Sequence, residues 1–242
     1  MPPSSGHTYL VPDRRRLTIL VLLASLLVAS ALCVATVQVR IRHSHDTSYR
    51  FLDWNLFLAW IPLAFALAAH ESAGRRRAYL TVPFGLLWLL FFPNAPYVLT
   101  DFIHLQQSPT TPLWYDGLMI SSFAWTALIL GFVSLYLMQT VWRQAAGGFI
   151  AWCGVIGALA LGSLGVYIGR YVGYNSWDAL LHPLQVARVI HAHLEDPFHQ
   201  PRLEESLLVL TGFLTIAYSA FYCVTSLRLN IQRRELGRPD HA

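Results

Sequence analysis

The chain has 242 residues, of which 55% are hydrophobic and only 12% charged, with a formal net charge of +4. A soluble domain carries about 25% charged residues. Half that share cannot coat a water-facing surface, which excludes a soluble globular protein in favour of a polytopic membrane protein. The positive charge comes from Arg clusters beside apolar runs, with no basic stripe interleaved with aromatics, so a nucleic-acid-binding surface is excluded as well.

A spanning helix needs about 20 mostly apolar residues, and six segments qualify: 17–37, 52–69, 78–99, 117–138, 149–169 and 206–227. They make one transmembrane domain over 17–227, between an N-terminal tail (1–16) and a basic C-terminal tail (228–242). The first span follows Arg14, Arg15 and Arg16, as a signal peptide would. Its apolar run is too long for that, and no small-residue cleavage site follows, so it reads as an uncleaved anchor. Cys33, Cys153 and Cys223 lie inside apolar segments and match no metal spacing, which makes them packing thiols.

Orientation follows from the Arg count. With the N-terminus inside, the inner segments hold 11 Arg and the outer segments 6, with Arg40, Arg42 and Arg50 in the first outer loop. Both termini are therefore expected in the cytoplasm of a cell (inner) membrane protein. The outer segments are then 38–51, about 93–116, and 170–205. Within the last, PLQVARVIHAHL (183–194) begins with a Pro suited to a first helical turn and puts Leu184, Ala187, Ile190 and Leu194 on one face, as an amphipathic surface helix would. No internal repeat is evident, which weakens a transporter built on inverted repeats.

The third span contains FFPNAPYVLTDFIH (91–104). From Ala78 to Phe92 a helix reaches only about 22 Å at 1.5 Å per residue, short of a hydrocarbon core of about 30 Å. The helix is thus predicted to break at Pro93–Pro96 within the outer part of the membrane. Prolines remove backbone donors, and Asn94 is placed to bond the freed groups. If the chain is helical beyond the break, Asp101 and His104, three apart, share a face. Such a pair suits an ion pair, an oriented general base, or two metal ligands.

In the fifth span, Gly154, Ala158, Gly162, Gly165 and Gly169 line one face. Small residues let another helix approach closely, either within the bundle or in a homodimer through this face. The same orientation gathers other polar groups at the outer level. Asp53 opens the second span and Asp116 the fourth, while Arg170 closes the fifth and is followed by Asn175, Asp178 and His182. Ionisable groups at membrane depth face the bundle interior or a wet cavity, so an outward-facing polar pocket is expected. Asp53 and Asp116 also suit helix N-caps, and Arg170 can snorkel. His43, His45, His191, His193 and His199 read as loop residues, and Glu204 and Glu205 as first-turn acids.

Two stretches, LWLLFFPNAPYVLTDFIHL (87–105) and GVYIGRYVGYNSWDALLHP (165–183), resemble the signature blocks of a bacterial membrane-protein family known as domain of unknown function 1361. The likeness covers about residues 50–227. Tyr171-Val172-Gly173-Tyr174 departs from the more aromatic and basic spacer of that family. The resemblance implies a multi-span integral membrane protein and supplies no activity. It singles out Asn94, Asp101, His104, Arg170, Asn175 and Asp178 as motif positions.

Nucleophile-elbow, zinc-protease, phosphate-loop and dinucleotide motifs are missing. Three roles stay open. One is a non-catalytic membrane scaffold or assembly factor whose motifs serve internal hydrogen bonding. A second is an enzyme on a lipid-linked substrate at the outer face, with Asp101 and His104 as acid–base groups. In a metal version, Asp101, His104, Asp178 and His182 would hold a divalent ion such as zinc, with Arg170 gripping a phosphate or carboxylate. The third is transport of an ion or small solute.

Overall fold

Long apolar runs can satisfy their backbone in hydrocarbon only by folding as helices or closed barrels, and the described part of this chain consists of helices joined by turns and loops, with no strand. The computed structural model describes residues 14–174, 176–182, 184, 185, 188 and 201–236. Its elements are α1 (Arg14–Ser44), a 3₁₀ turn (Ser48–Arg50), α2 (Phe51–Gly74), α3 (Ala78–Phe91), α4 (Asn94–Tyr97) and a 3₁₀ helix (Val98–His104). After these come α5 (Leu113–Ala146), α6 (Gly148–Tyr167), a π turn (Ile168–Val172), α7 (Ser176–Leu181) and α8 (Pro201–Leu236). Among the described residues, six stretches are long and apolar enough to cross a membrane: Leu17–Ser44, Ser48–Gly74, Ala78–His104, Leu113–Ala146, Gly148–Val172 and Leu207–Leu227. The protein is an all-α polytopic bundle. The amphipathic helix expected at 183–194 lies for the most part outside the described residues.

Several spans outrun the sequence-based expectation. α1 runs to Ser44 rather than 37, and α5 to Ala146 rather than 138. Hydropathy stops at the first polar residues, but here those residues are paired. Arg40 bonds Asp116, and buried Gln139 accepts a hydrogen bond from the Tyr218 hydroxyl at 2.6 Å. The α5–α6 connection shrinks to a single residue, Gly147, whose φ of +89° is cheap only for glycine.

α5 is the central helix. It packs against α1, α2, α4, the 3₁₀ helix, α6 and α8. In its most apolar window 72% of residues are buried inside the protein, against 11% for the first and last spans, so α5 forms the core and α1 and α8 the lipid-facing rim. One core cluster joins α1, α2 and α5 around Leu56, Ile120 and Phe123. A second joins α3, α5, α6 and α8 around Trp88, Phe92, Leu159 and Tyr218.

Lipid tails are as apolar as leucine, so close packing and polar pairs, rather than the hydrophobic effect, hold such helices together. The small-residue face of α6 supplies the close packing. A Cβ on Gly154 would approach Trp142 to 2.8 Å, one on Gly162 would approach Phe92 to 3.0 Å, and one on Gly165 would approach Pro93 to 2.5 Å. Farther along the same span, a Cβ on Gly169 would meet Tyr97 at 3.1 Å. The face is therefore filled by the chain's own residues. This is the packing within the bundle that the small-residue pattern allowed for.

Candidate functional site

The third span builds the centre of the polar end. α3 stops at Phe91, yet the chain does not unwind: Phe92 (φ −53°, ψ −38°) and Pro93 (φ −57°, ψ −25°) stay in the right-handed helical region. The break is one of hydrogen bonding. The Ala95 N–H donates to the Phe92 carbonyl, three residues back, at 3.2 Å. That leaves the Phe91 carbonyl without its usual partner, and Asn94 Nδ2 donates to it at 2.9 Å. The same amide donates to Ser176 Oγ at 3.1 Å, tying the break to α7. Glycines receive the motif from two sides: Pro93 lies against Gly165, and Ala95 against Gly131, where an added Cβ would come within 2.9 Å of the Ala95 Cβ.

Beyond the break the span continues as a 3₁₀ helix, in which side chains three apart eclipse one another. Asp101 and His104 are thereby stacked toward one partner, Arg170. Its Nη2 donates to Asp101 Oδ1 at 2.5 Å and to Thr100 Oγ1 at 2.6 Å. Nε donates to the same hydroxyl at 2.9 Å, and Nη1 lies 3.1 Å from His104 Nε2. A guanidinium can only donate, so His104 Nε2 is the acceptor in that bond. Arg170 also lies over the Tyr97 ring, 4.3 Å from its centroid, a cation–π geometry. Asp101 has no solvent exposure. Its second oxygen accepts from Asn55 Nδ2 at 2.9 Å, so both carboxylate oxygens are engaged. The five-residue π turn carrying Arg170 aims it across the end of the bundle.

A second arginine network lies beside the first. Arg40 Nε and Nη2 donate to the two oxygens of Asp116 at 2.8 and 3.2 Å. Arg40 Nη1 donates to Asp46 Oδ2 at 3.1 Å, and the guanidinium covers the Tyr49 ring at 4.3 Å. Both members of the Arg40–Asp116 pair are buried. Asp46 is half-exposed. The hydroxyl and backbone N–H of Ser48, followed by Arg40, hold its carboxyl down at about 2. The Tyr49 hydroxyl donates to the His104 carbonyl at 2.8 Å, linking the two networks.

Sequence reasoning counted Arg40 only as a loop charge and missed its role. The available signal was Asp116, a carboxylate opening an apolar run and needing a cation. Asn55 was likewise not singled out as a site residue. Asp53 stands apart from both networks: its Oδ1 is buried and meets no hydrogen-bond partner among the described residues. Asn175 lies outside the described residues. Asp178 and His182 belong to and follow α7, and the His182 N–H donates to the Asp178 carbonyl at 2.7 Å.

The expected metal set does not assemble. Among the described residues no three His, Cys, Asp or Glu side chains gather so as to hold a metal ion. The reason is electrostatic: Arg170 occupies the space between Asp101 and His104 where a cation would sit. Two of the cavities at this end border the networks. One, of about 70 Å³, is lined by Asn55, Asn94, Tyr97, Gly169 and Ser176 among others. The other, of about 340 Å³, lies between the end of α1 and the segment after the third span.

The family described as Protein of unknown function (DUF1361) matches residues 54–233. The chain belongs to this family. Neither the curated proteins nor the solved structures contain a match to the chain. Within the DUF1361 segment the two signature blocks bond each other through Asp101–Arg170 and Asn94–Ser176. Arg40, Asp46 and Tyr49 precede the matched segment of this DUF1361 chain.

Proposed function

We propose that the protein is a non-catalytic scaffold or assembly factor of the cell (inner) membrane, with both termini in the cytoplasm and its polar end outward. The observation that carries this reading is the state of Asp101, buried with both oxygens bonded to Arg170 and Asn55. A carboxylate so engaged pins three spans together and offers no oxygen to a substrate. The few fourth-span hydroxyls that could line a translocation path favour the same reading. Ser121, Ser122 and Thr126 each donate to a carbonyl of their own helix. The orientation draws support from the pairing of Arg40 and Arg170, two of the six arginines on the outer side, with Asp116 and Asp101. Neutralised arginines weigh little against the inner clusters.

The test is to purify the protein and its Asp101→Ala and Asp101→Asn variants in detergent, then measure metal content and thermal unfolding. A scaffold predicts no stoichiometric metal and a loss of Tm and folded yield in Asp101→Ala. A metal bound one-to-one and lost in both variants at unchanged Tm overturns the proposal. A second reading, acid–base chemistry on a lipid-linked substrate, is favoured by one feature: His104 is exposed and borders the larger cavity.

A further inference from the structure

The larger cavity is not used by the internal network. It lies where α1 ends, the 45–50 turn crosses and the third span gives way to residues 104–109. Its volume of about 340 Å³ is at the small end of the roughly 300–1,000 Å³ of small-molecule sites. We infer that it binds an uncharged, hydroxyl-rich group of about one sugar ring, reached from the headgroup level of the membrane. This goes beyond the scaffold reading and does not depend on it.

Charge argues for a neutral ligand. The guanidinium at the cavity, Arg40, is buried and already shared between Asp116 and Asp46. His104 meets Arg170 through Nε2, and Arg170 is paired with Asp101. An anion finds no unspent cation here, and the Asp46 carboxylate faces the same space. A metal ion finds no ligand cluster among the described residues.

The remaining lining suits hydroxyls. Gln106 and Gln107 are exposed at the cavity and carry planar amides, each offering a donor pair beside an acceptor. Ser108 adds a hydroxyl on the same wall. Neighbouring hydroxyls of a sugar or polyol are donors and acceptors at once, and match such groups without a net charge. Phe51, partly buried and edge-on to the His104 ring at 4.8 Å, supplies an apolar wall for the C–H face of a ring. Trp54, Ile103 and Trp114 are more than half exposed at this end of the bundle. Aromatic residues so placed mark the membrane–water boundary, so a lipid headgroup and a free sugar are both within reach.

The full chain in phosphatidylcholine nanodiscs distinguishes these sources by tryptophan fluorescence and calorimetry. One arm incorporates monoglucosyl diacylglycerol in the disc. A second titrates methyl β-glucoside in solution, and a third titrates inorganic phosphate. Saturable binding is expected in the first or second arm, and whichever responds identifies the source. The Gln106→Ala/Gln107→Ala variant removes only exposed side chains. It should weaken that binding about tenfold, the equivalent of one or two net hydrogen bonds, at an unchanged ligand-free Tm. The proposal is overturned by no saturable response to either glucoside, by phosphate binding in preference to both, or by full affinity in the double variant.

Discussion

Two arginines organise the polar end, and they do so with different margins. Both pair with a fully buried carboxylate and both cover a tyrosine ring at 4.3 Å. Arg40 sits in regular helix and is the sole described partner of both Asp116 oxygens, its side chain 2% exposed. Arg170 sits in a π turn, its side chain 13% exposed, and shares Asp101 with Asn55. The first network is a single strap between the first and fourth spans. The second is a redundant knot joining the second, third and fifth. Taking charges out of water is costly, and a buried pair is dangerous chiefly when half of it is removed. The knot tolerates damage better than the strap because its carboxylate keeps a partner.

The largest effect is expected for Arg40→Ala, which strands Asp116 with no cation. Unfolding in detergent should show a loss of about 3–5 kcal/mol. Arg170→Ala should cost less, about 2–3 kcal/mol, because Asn55 still donates to Asp101. Equal losses, or a reversal of this order, would break the distinction between strap and knot. Next comes the packing beneath the knot. Gly165→Ala drives a methyl into Pro93 and should cost about 1–3 kcal/mol, whereas Gly157→Ala, with open space around its Cβ position, should leave Tm unchanged or slightly raised.

The smallest effect concerns pH at the strap. Asp46 is held at about 2 against an ordinary 3.8. A carboxyl depressed in the folded state adds stability above its unfolded pKa and loses it as pH falls through the folded one. Tm should therefore decline between 3.8 and about 2, and Asp46→Asn should flatten that part of the curve. Solvent screening at this half-exposed group keeps the change small.

Much of this was legible in the sequence. The six spans, the break at Pro93–Pro96 and the three-residue spacing of Asp101 and His104 follow from apolar run length, proline chemistry and helical period. Those are local properties, set by neighbours along the chain. The likeness of the two signature blocks to one family was also readable, and the match over residues 54–233 agrees with it. Arg40 was hidden because hydropathy cannot tell a solvated loop arginine from one buried against a distant carboxylate. The metal set looked reasonable because spacing along a helix does not reveal what stands between two side chains.

By itself, then, the sequence determined that this chain is built for a membrane, which six stretches are long and apolar enough to cross it, and where its third helix is interrupted. The tertiary structure alone decided what the interruption is for. Gly131 and Gly165, far from Pro93 and Ala95 along the chain, leave the space that the motif fills. Arg170 arrives from another span to turn Asp101 and His104 from prospective metal ligands into an ion-paired knot. Partner identity in a helical bundle depends on contacts between segments remote in sequence, and in lipid those contacts rest on close fit and paired charge, which run length and periodicity do not encode.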